Sequence, residues 1–432
     1  MKIKFAHISD VHLGAWRNEQ INELGFRAFE KAVEFIINES VDFVIISGDL
    51  YDVSNPRVEV IDIATKELKR LKDHQISVYG IMGSHDFSPS DKSMIRPLIS
   101  AGLFTDLSSG KFSEDGKLQL NFFQDPKTKV KLTGLRARKR SLEINDYKIL
   151  DRESLKHEKG PKVFILHTML SELKPKEYKE MESAPKSLLP EDFDYYAAGH
   201  LHKTVPERLK DNSVIIEITK KNNIVYPGCL FPTDFREFES IKFGGFCIIT
   251  GEINGDKLEL KIKYHPIKVI GVENIFIDCT NKSVDEVNKK LKNQIIQKDF
   301  TDKIVTIRIF GPLSSGKSYE IKNNEIIQKF KDKGAYEVLI NKSALSTMEY
   351  PSVSVKVGES NEEIEDNLIK EHINKIKIGE LQPHEVEKKI HQLLTVLGTE
   401  RHIGTKVMDY NMSLKQSFSS IFEIDKSKER KI

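Results

Sequence analysis

Five apolar runs in the first half of the chain each end in aspartate or histidine, and this pattern limits the possible folds more than any other feature of the sequence. The runs are HISDVHLG with Asp10 and His12, ISGDLYD with Asp49 and Asp52, MGSHD with His85 and Asp86, FILH with His167, and AAGHLH with His200 and His202. In a layered α/β fold the loops at one edge of a sheet converge on a crevice, so polar residues at strand ends are expected to meet in space. Mixed carboxylate and imidazole donors suit Mn²⁺, iron or zinc, and a set of this size suggests two ions. Two neighbouring ions can pin a phosphoryl group and ready water for attack, so the chemistry indicated is hydrolysis of a phosphate ester.

The ordered set Asp-x-His, Gly-Asp-x-x-Asp, Gly-x-His-Asp, strand-end His and Gly-His-x-His resembles the calcineurin-like metallophosphoesterases. Within them DVHLG, SGDLYD followed by Pro56, YPGCLFPTDFRE at 226–237 and a small α+β module are similar to the DNA double-strand-break repair nucleases of the meiotic-recombination-eleven type. The resemblance covers roughly residues 1–355 and is strongest in the first 240. It implies two Mn²⁺ ions, one on Asp10, His12 and His202 and one on Ser84, His167 and His200, with Asp49 bridging. It also implies that His85 protonates the leaving 3′-oxygen and that Asp52 orients His85. The family usually has Asn where this chain has Ser84, and a hydroxyl is a shorter and weaker oxygen donor, so the second ion is expected to bind more loosely. The activity implied is 3′-to-5′ exonuclease action on duplex ends and endonuclease action on single strands. The partners implied are DNA, a second copy of the chain, and an SMC-like coiled-coil ATPase. The site residues by themselves argue only for phosphoester chemistry. Another calcineurin-like phosphodiesterase or phosphatase, or a non-catalytic scaffold that bridges DNA, stays open.

Strand-like and helix-like runs alternate through the first two-thirds of the chain, which predicts an α/β class. The expected architecture is a layered α/β/β/α sandwich over 1–268, a small α+β capping domain that binds DNA over 269–355, and a linker with a helical partner-docking segment over 356–432. Pro383 and Gly398 bracket the helical pattern PHEVEKKIHQLLTVLG. Cys229, Cys247 and Cys279 are too few for a zinc quartet or a disulfide framework and read as core residues. Lys and Arg (67) nearly balance Asp and Glu (65), so a polyanion must be held by local clusters. No run is long enough to span a bilayer, and the expected location is cytoplasmic, near the nucleoid, or nuclear.

Three surface readings follow. The loop LRARKRS offers Arg136, Arg138, Lys139 and Arg140 as phosphate contacts, with Arg236 as another, although such runs are more often just solvated. The helix near 56–73 with Val58, Ile61 and Leu68, and the segment 94–99 with Met94, Ile95 and Leu98, read either as core or, by the resemblance, as a four-helix dimer contact. The stripe Val386, Ile390, Leu393, Leu394 and Leu397 either docks on the coiled-coil base of the ATPase or packs back on the cap. Finally, GPLSSGKS at 311–318 matches the phosphate-loop pattern. It lacks an acidic partner strand and reads as a coincidental strand-to-helix connection, with Lys317 at most a phosphate contact.

Overall fold

A computed structural model describes residues 1–87, 93–211, 213–347, 365–366, 369–370, 373, 381–399 and 407–422. The chain forms two compact units, Met1–Met348 and Glu349–Ile432.

The first unit is built on two sheets. One runs Ile215–Glu217, Lys257–Pro266, Gly245–Asn254, Lys2–Ile8, Phe43–Ser47, Ser77–Ile81 and Thr105–Asp106; the other runs Ile224–Val225, Tyr195–Gly199, Lys162–His167, Lys131–Leu135 and Phe123–Gln124. Side chains alternate along each strand, so one face of each sheet turns inward. Phe5, Phe43 and Ile45 meet Val163, Ile165 and Tyr195 between the sheets. The alternate residues Ala6, Val44 and Ile46 pack under the helices Glu19–Asn38 and Val58–Asp73. On the far side, Phe164 and Leu166 meet Tyr147, Leu155 and Phe193. The layers are therefore helix, sheet, sheet and helix-rich cover, the α/β/β/α sandwich that the sequence predicts.

Strand direction positions the site. Lys2–Ile8, Phe43–Ser47 and Ser77–Ile81 are parallel neighbours, with Ile8 level with Ile46 and Ser47 with Ile81. In the second sheet Lys162–His167 and Tyr195–Gly199 are parallel, with His167 level with Gly199. All five polar strand ends thus emerge at one edge.

The segment expected to act as a capping module has a parallel sheet centred on Lys303–Ser315, flanked by Gly271–Asp278 and Glu337–Asn341. The helices Val284–Gln297 and Asn323–Lys331 cover one face through Val287, Leu291, Ile326 and Phe330. GPLSSGKS does not form a phosphate loop here. The strand runs on through Ser315, pairing Gly311 with Leu345 and Leu313 with Thr347, and the next α-helix starts only at Asn323. An extended, paired backbone cannot wrap its amides around a phosphate.

In the second unit, Pro383–Leu397 starts on a capping box between Gln382 and Glu385, and the described residues add a helix at Val407–Ile421.

Candidate metal centre

The ligand loops are held in backbone conformations that side chains rarely adopt. Asp10, His12, Asp49 and His200 have φ of 49°, 47°, 52° and 87°, in the left-handed region. Such strain persists only where surrounding structure over-determines it. Here the amides of Asp10 and His12 donate to the carbonyls of Gly48 and Asp49, and the His200 amide donates to both carboxylate oxygens of Asp10 at 3.0 and 3.1 Å. Gly83 allows a close approach to the bridging carboxylate, since a β-carbon there would lie 2.2 Å from Asp49 Oδ1. Asp86 braces the same turn, accepting from the amides of Leu50, Tyr51 and Gly83. Burial and the nearby Asp49 push the Asp86 carboxyl up to about 6.

Two ligand groups form where the loops meet. Asp10, His12 and His202 converge in one, Asp49, His167 and His200 in the other, and within each group the donor atoms lie within 4.8 Å of one another. Asp49 stands between the groups, its Oδ2 3.6 Å from His12 Nε2 and 3.0 Å from His167 Nε2. Ser84 turns its hydroxyl onto the same oxygen at 3.4 Å.

The ring tautomers show what this cluster fits. His167 Nδ1 lies 2.8 Å from the Ser47 carbonyl, which can only accept, so the Nδ1 hydrogen points there. His12 Nδ1 faces Asp52 Oδ1 at 3.2 Å and His202 Nδ1 faces Glu237 Oε1 at 2.5 Å, so these hydrogens also point outward. All three rings turn Nε2 inward. The Nε2 atoms of His12 and His202 come within 3.1 Å of each other, and His167 Nε2 is buried against the Asp49 carboxylate at 3.0 Å. Imidazole lone pairs packed against two buried carboxylates repel unless a cation lies among them. The donor set therefore fits divalent ions.

Protons fill that role in part. Burial opposes charge on His167, but Asp49 outweighs it and raises the ring to about 10; burial is likewise outweighed at His202, raised to about 9 by Glu237 and Asp10. Asp49, despite burial, is held well below the ordinary carboxylate range by His167. Burial and the neighbouring His167 lower His200 to about 4.

His85 stands beside the first group, its ring edge-on to His12 at 4.7 Å, and its amide donates to Asp49 Oδ1 at 2.7 Å. Its Nδ1 is held by the backbone carbonyl of Asp52 at 2.6 Å. Asp52 therefore faces His85 with its main chain and, at 3.8 Å, with its carboxylate, which lies nearer to His12 at 3.2 Å. Glu237 was missed by sequence reasoning. It lies 35 residues beyond His202, and in TDFRE it reads as the third residue of a helix capped by Asp234, which it also is.

The surface residues separate. Arg138 is tied to Asp146 at 2.7 Å, and Arg136 sits 5.6 Å over the Phe87 ring, whereas Lys139, Arg140 and Arg236 are exposed. Leu68, Ile95 and Leu98 are buried in the chain's own core, which removes them from any dimer contact; an apolar stripe at helical spacing found its partner inside the fold. Val58 is 76% exposed, and Ile61 and Met94 are half-buried. In the tail, Val386 is fully buried against Ile369 and Ile373, with Ile390 and Leu394 packed on that cluster, so these three residues are occupied within their own unit. Leu393 is half-buried and Leu397 exposed.

Comparison with known proteins agrees with this geometry. Residues 3–204 match the family model of the calcineurin-like phosphoesterases. The DNA double-strand break repair protein Mre11 of Sulfolobus acidocaldarius is 29% identical over 299 residues, 68% of this chain and 72% of that one. The protein of the same name from Saccharolobus solfataricus is 25% identical over 412 residues, 90% of this chain and 98% of that one. The one from Sulfurisphaera tokodaii is 33% identical over 233 residues, 52% of this chain and 55% of that one. Among solved structures, a dimetal phosphatase from Danio rerio overlaps 61% of this chain and 99% of its own, at 14% identity and a TM-score of 0.36, too slight a likeness to argue from. With its strand-end ligands, its sandwich and these relatives, the chain carries a calcineurin-like phosphoesterase domain over residues 3–204 and is similar to the Mre11-type DNA double-strand break repair proteins.

Proposed function

We propose that this protein is a DNA nuclease that uses two divalent ions, Mn²⁺ in the first place, during double-strand-break repair. The observation that carries the reading is the placement of Asp49 Oδ2 within 3.6 Å of a donor nitrogen in one ligand group and 3.0 Å of one in the other, as a bridging ligand requires. Two ions held there would polarise a phosphodiester and activate water for in-line attack. Asp10, His12 and His202 would hold one, and His167, His200 and the Ser84 hydroxyl the other. His85 is seated to protonate the leaving 3′-oxygen. With Nδ1 committed to the Asp52 carbonyl, Nε2 is the nitrogen left for substrate, and only the protonated ring carries a hydrogen there.

The remaining parts of the reading belong to surfaces. Arg136, Lys139, Arg140 and Arg236 contact DNA phosphates, which positions a duplex without reading its sequence. Two copies meet through Val58, Ile61 and Met94, and the tail offers Leu393 and Leu397 to an SMC-like ATPase. A direct assay of the chemistry uses an end-labelled duplex, a single-stranded circle and a chromogenic phosphate ester, after chelation and again with Mn²⁺ restored. The expected result is Mn²⁺-dependent shortening of the duplex from its 3′ ends and opening of the circle. Hydrolysis of the ester alone would make the protein a general phosphoesterase, and DNA binding without cleavage at any metal concentration would make it a scaffold.

A further inference from the structure

The helix Phe235–Ser240 is only six residues long, and at that length it is stable only through what it packs against. Phe238 anchors it in the core beside Trp16 and Phe231. Its two remaining acidic side chains face different partners. Glu237 gives Oε1 to His202 Nδ1 at 2.5 Å, while its Oε2 accepts from the amide and hydroxyl of Thr233 at 2.7 and 2.9 Å. Glu239 instead receives the guanidinium of Arg308 from the capping sheet, Nε at 2.8 and 3.1 Å and Nη2 at 2.5 Å. A second capping strand adds Asn274, whose amide donates to the Glu239 carbonyl at 2.9 Å, and Arg308 also lies 5.2 Å over the Phe235 ring. Asn274 is itself fixed by Thr306 on the neighbouring strand at 2.8 Å. A forked guanidinium on a carboxylate fixes direction as well as distance. One short helix therefore carries the carboxylate behind a ligand histidine on one side and the capping module's grip on the other.

We propose that Glu237 is a positioning residue for His202, and that its helix takes its place from the capping module through Arg308 and Asn274. Movement of the cap then alters the hold on the ion bound by Asp10, His12 and His202. A carboxylate behind a ligand imidazole fixes its tautomer and strengthens its donor nitrogen, and losing such a partner typically costs about 10–100-fold in metal affinity. The inference rests on the reading of the cluster as a metal centre.

The test is a calorimetric Mn²⁺ titration of the full-length chain, with thermal melting of the metal-free protein alongside. Glu237→Gln weakens one of two binding events by about 10–100-fold and leaves the other unchanged. Arg308→Ala weakens the same event, and the double variant is no weaker than Glu237→Gln alone, because the connection is already cut. If Arg308→Ala does not fold, Glu239→Gln loosens the same clamp from the helix side and gives the same pattern. Lys69→Ala, which removes an exposed ion pair with Asp73, changes neither event. Unchanged affinities in Glu237→Gln overturn the positioning role. Losses that add in the double variant, or a lower melting temperature in Arg308→Ala without a change in affinity, overturn the link to the cap. A wild-type chain that takes up no Mn²⁺ overturns the metal centre beneath the inference instead.

Discussion

At the residue scale the two halves of the centre are unequally supported. Asp52 stands behind His12 and Glu237 behind His202, whereas His167 has only the Ser47 carbonyl, and Ser84 supplies a hydroxyl that reaches Asp49 at 3.4 Å. A carboxylate raises the basicity of the imidazole it holds, so the group of Asp10, His12 and His202 should fill first. Ser84→Asn, which places a longer and stronger oxygen donor at that position, is expected to tighten the weaker Mn²⁺ binding event in a titration and leave the stronger one alone. His85→Asn should lower the cleavage rate by about 10²–10⁴-fold while both ions still bind, as measured by single-turnover kinetics beside the same titration. Proton competition gives the pH dependence. In the metal-free chain His167 and His202 hold protons up to about 10 and 9, and those protons must leave before metal binds. Affinity should therefore rise with pH through the neutral range, with about two protons released per chain, a number that titration in buffers of different ionisation enthalpy reads directly. The ligands were legible in the sequence because strand-end Asp and His stand out after apolar runs. Glu237 was not, because its distance from His202 in sequence carries no signal and its place after Asp234 has a sufficient explanation in helix capping. The split use of Asp52, main chain to His85 and carboxylate to His12, is a matter of side-chain direction that motif order does not encode.

Elements show where periodicity stops being informative. The stripe on Val58–Asp73 identified a helix with an apolar face, and the structure closes that face at Leu68 while leaving Val58 in solvent. Spacing gives the face but not its cover, so Leu68, Ile95 and Leu98 read equally well as core or as contact. The same limit applies to Val386, which the tail buries against its own Ile369 and Ile373. If two copies meet through the residues that remain outside, Val58→Asp should shift sedimentation from dimer toward monomer without changing the melting temperature. Deletion of residues 380–432 is expected to abolish capture of a coiled-coil ATPase partner and to spare Mn²⁺-dependent cleavage. GPLSSGKS shows a different limit: the four letters that the pattern fixes are compatible with a strand that runs to Ser315, because Gly311 and Gly316 relax the backbone without requiring that it close on an anion.

On the scale of the whole first unit, function follows from parallel strands in two facing sheets ending at one edge. The alternation that puts Phe5 and Ile45 between the sheets and Ala6 and Ile46 under the helices also fixes which loops meet. Neither Asp10 nor His167 has a use alone; the fold brings them into one cluster through Asp49, whose carboxylate touches both halves. The two-ion reading stands or falls on that bridge. Anomalous diffraction from crystals grown with Mn²⁺ tests it most directly. Two peaks per chain are expected with the Asp49 carboxylate shared between them, Asp10, His12 and His202 around one and His167 and His200 around the other. A single peak, or two with Asp49 turned away from either, would contradict it.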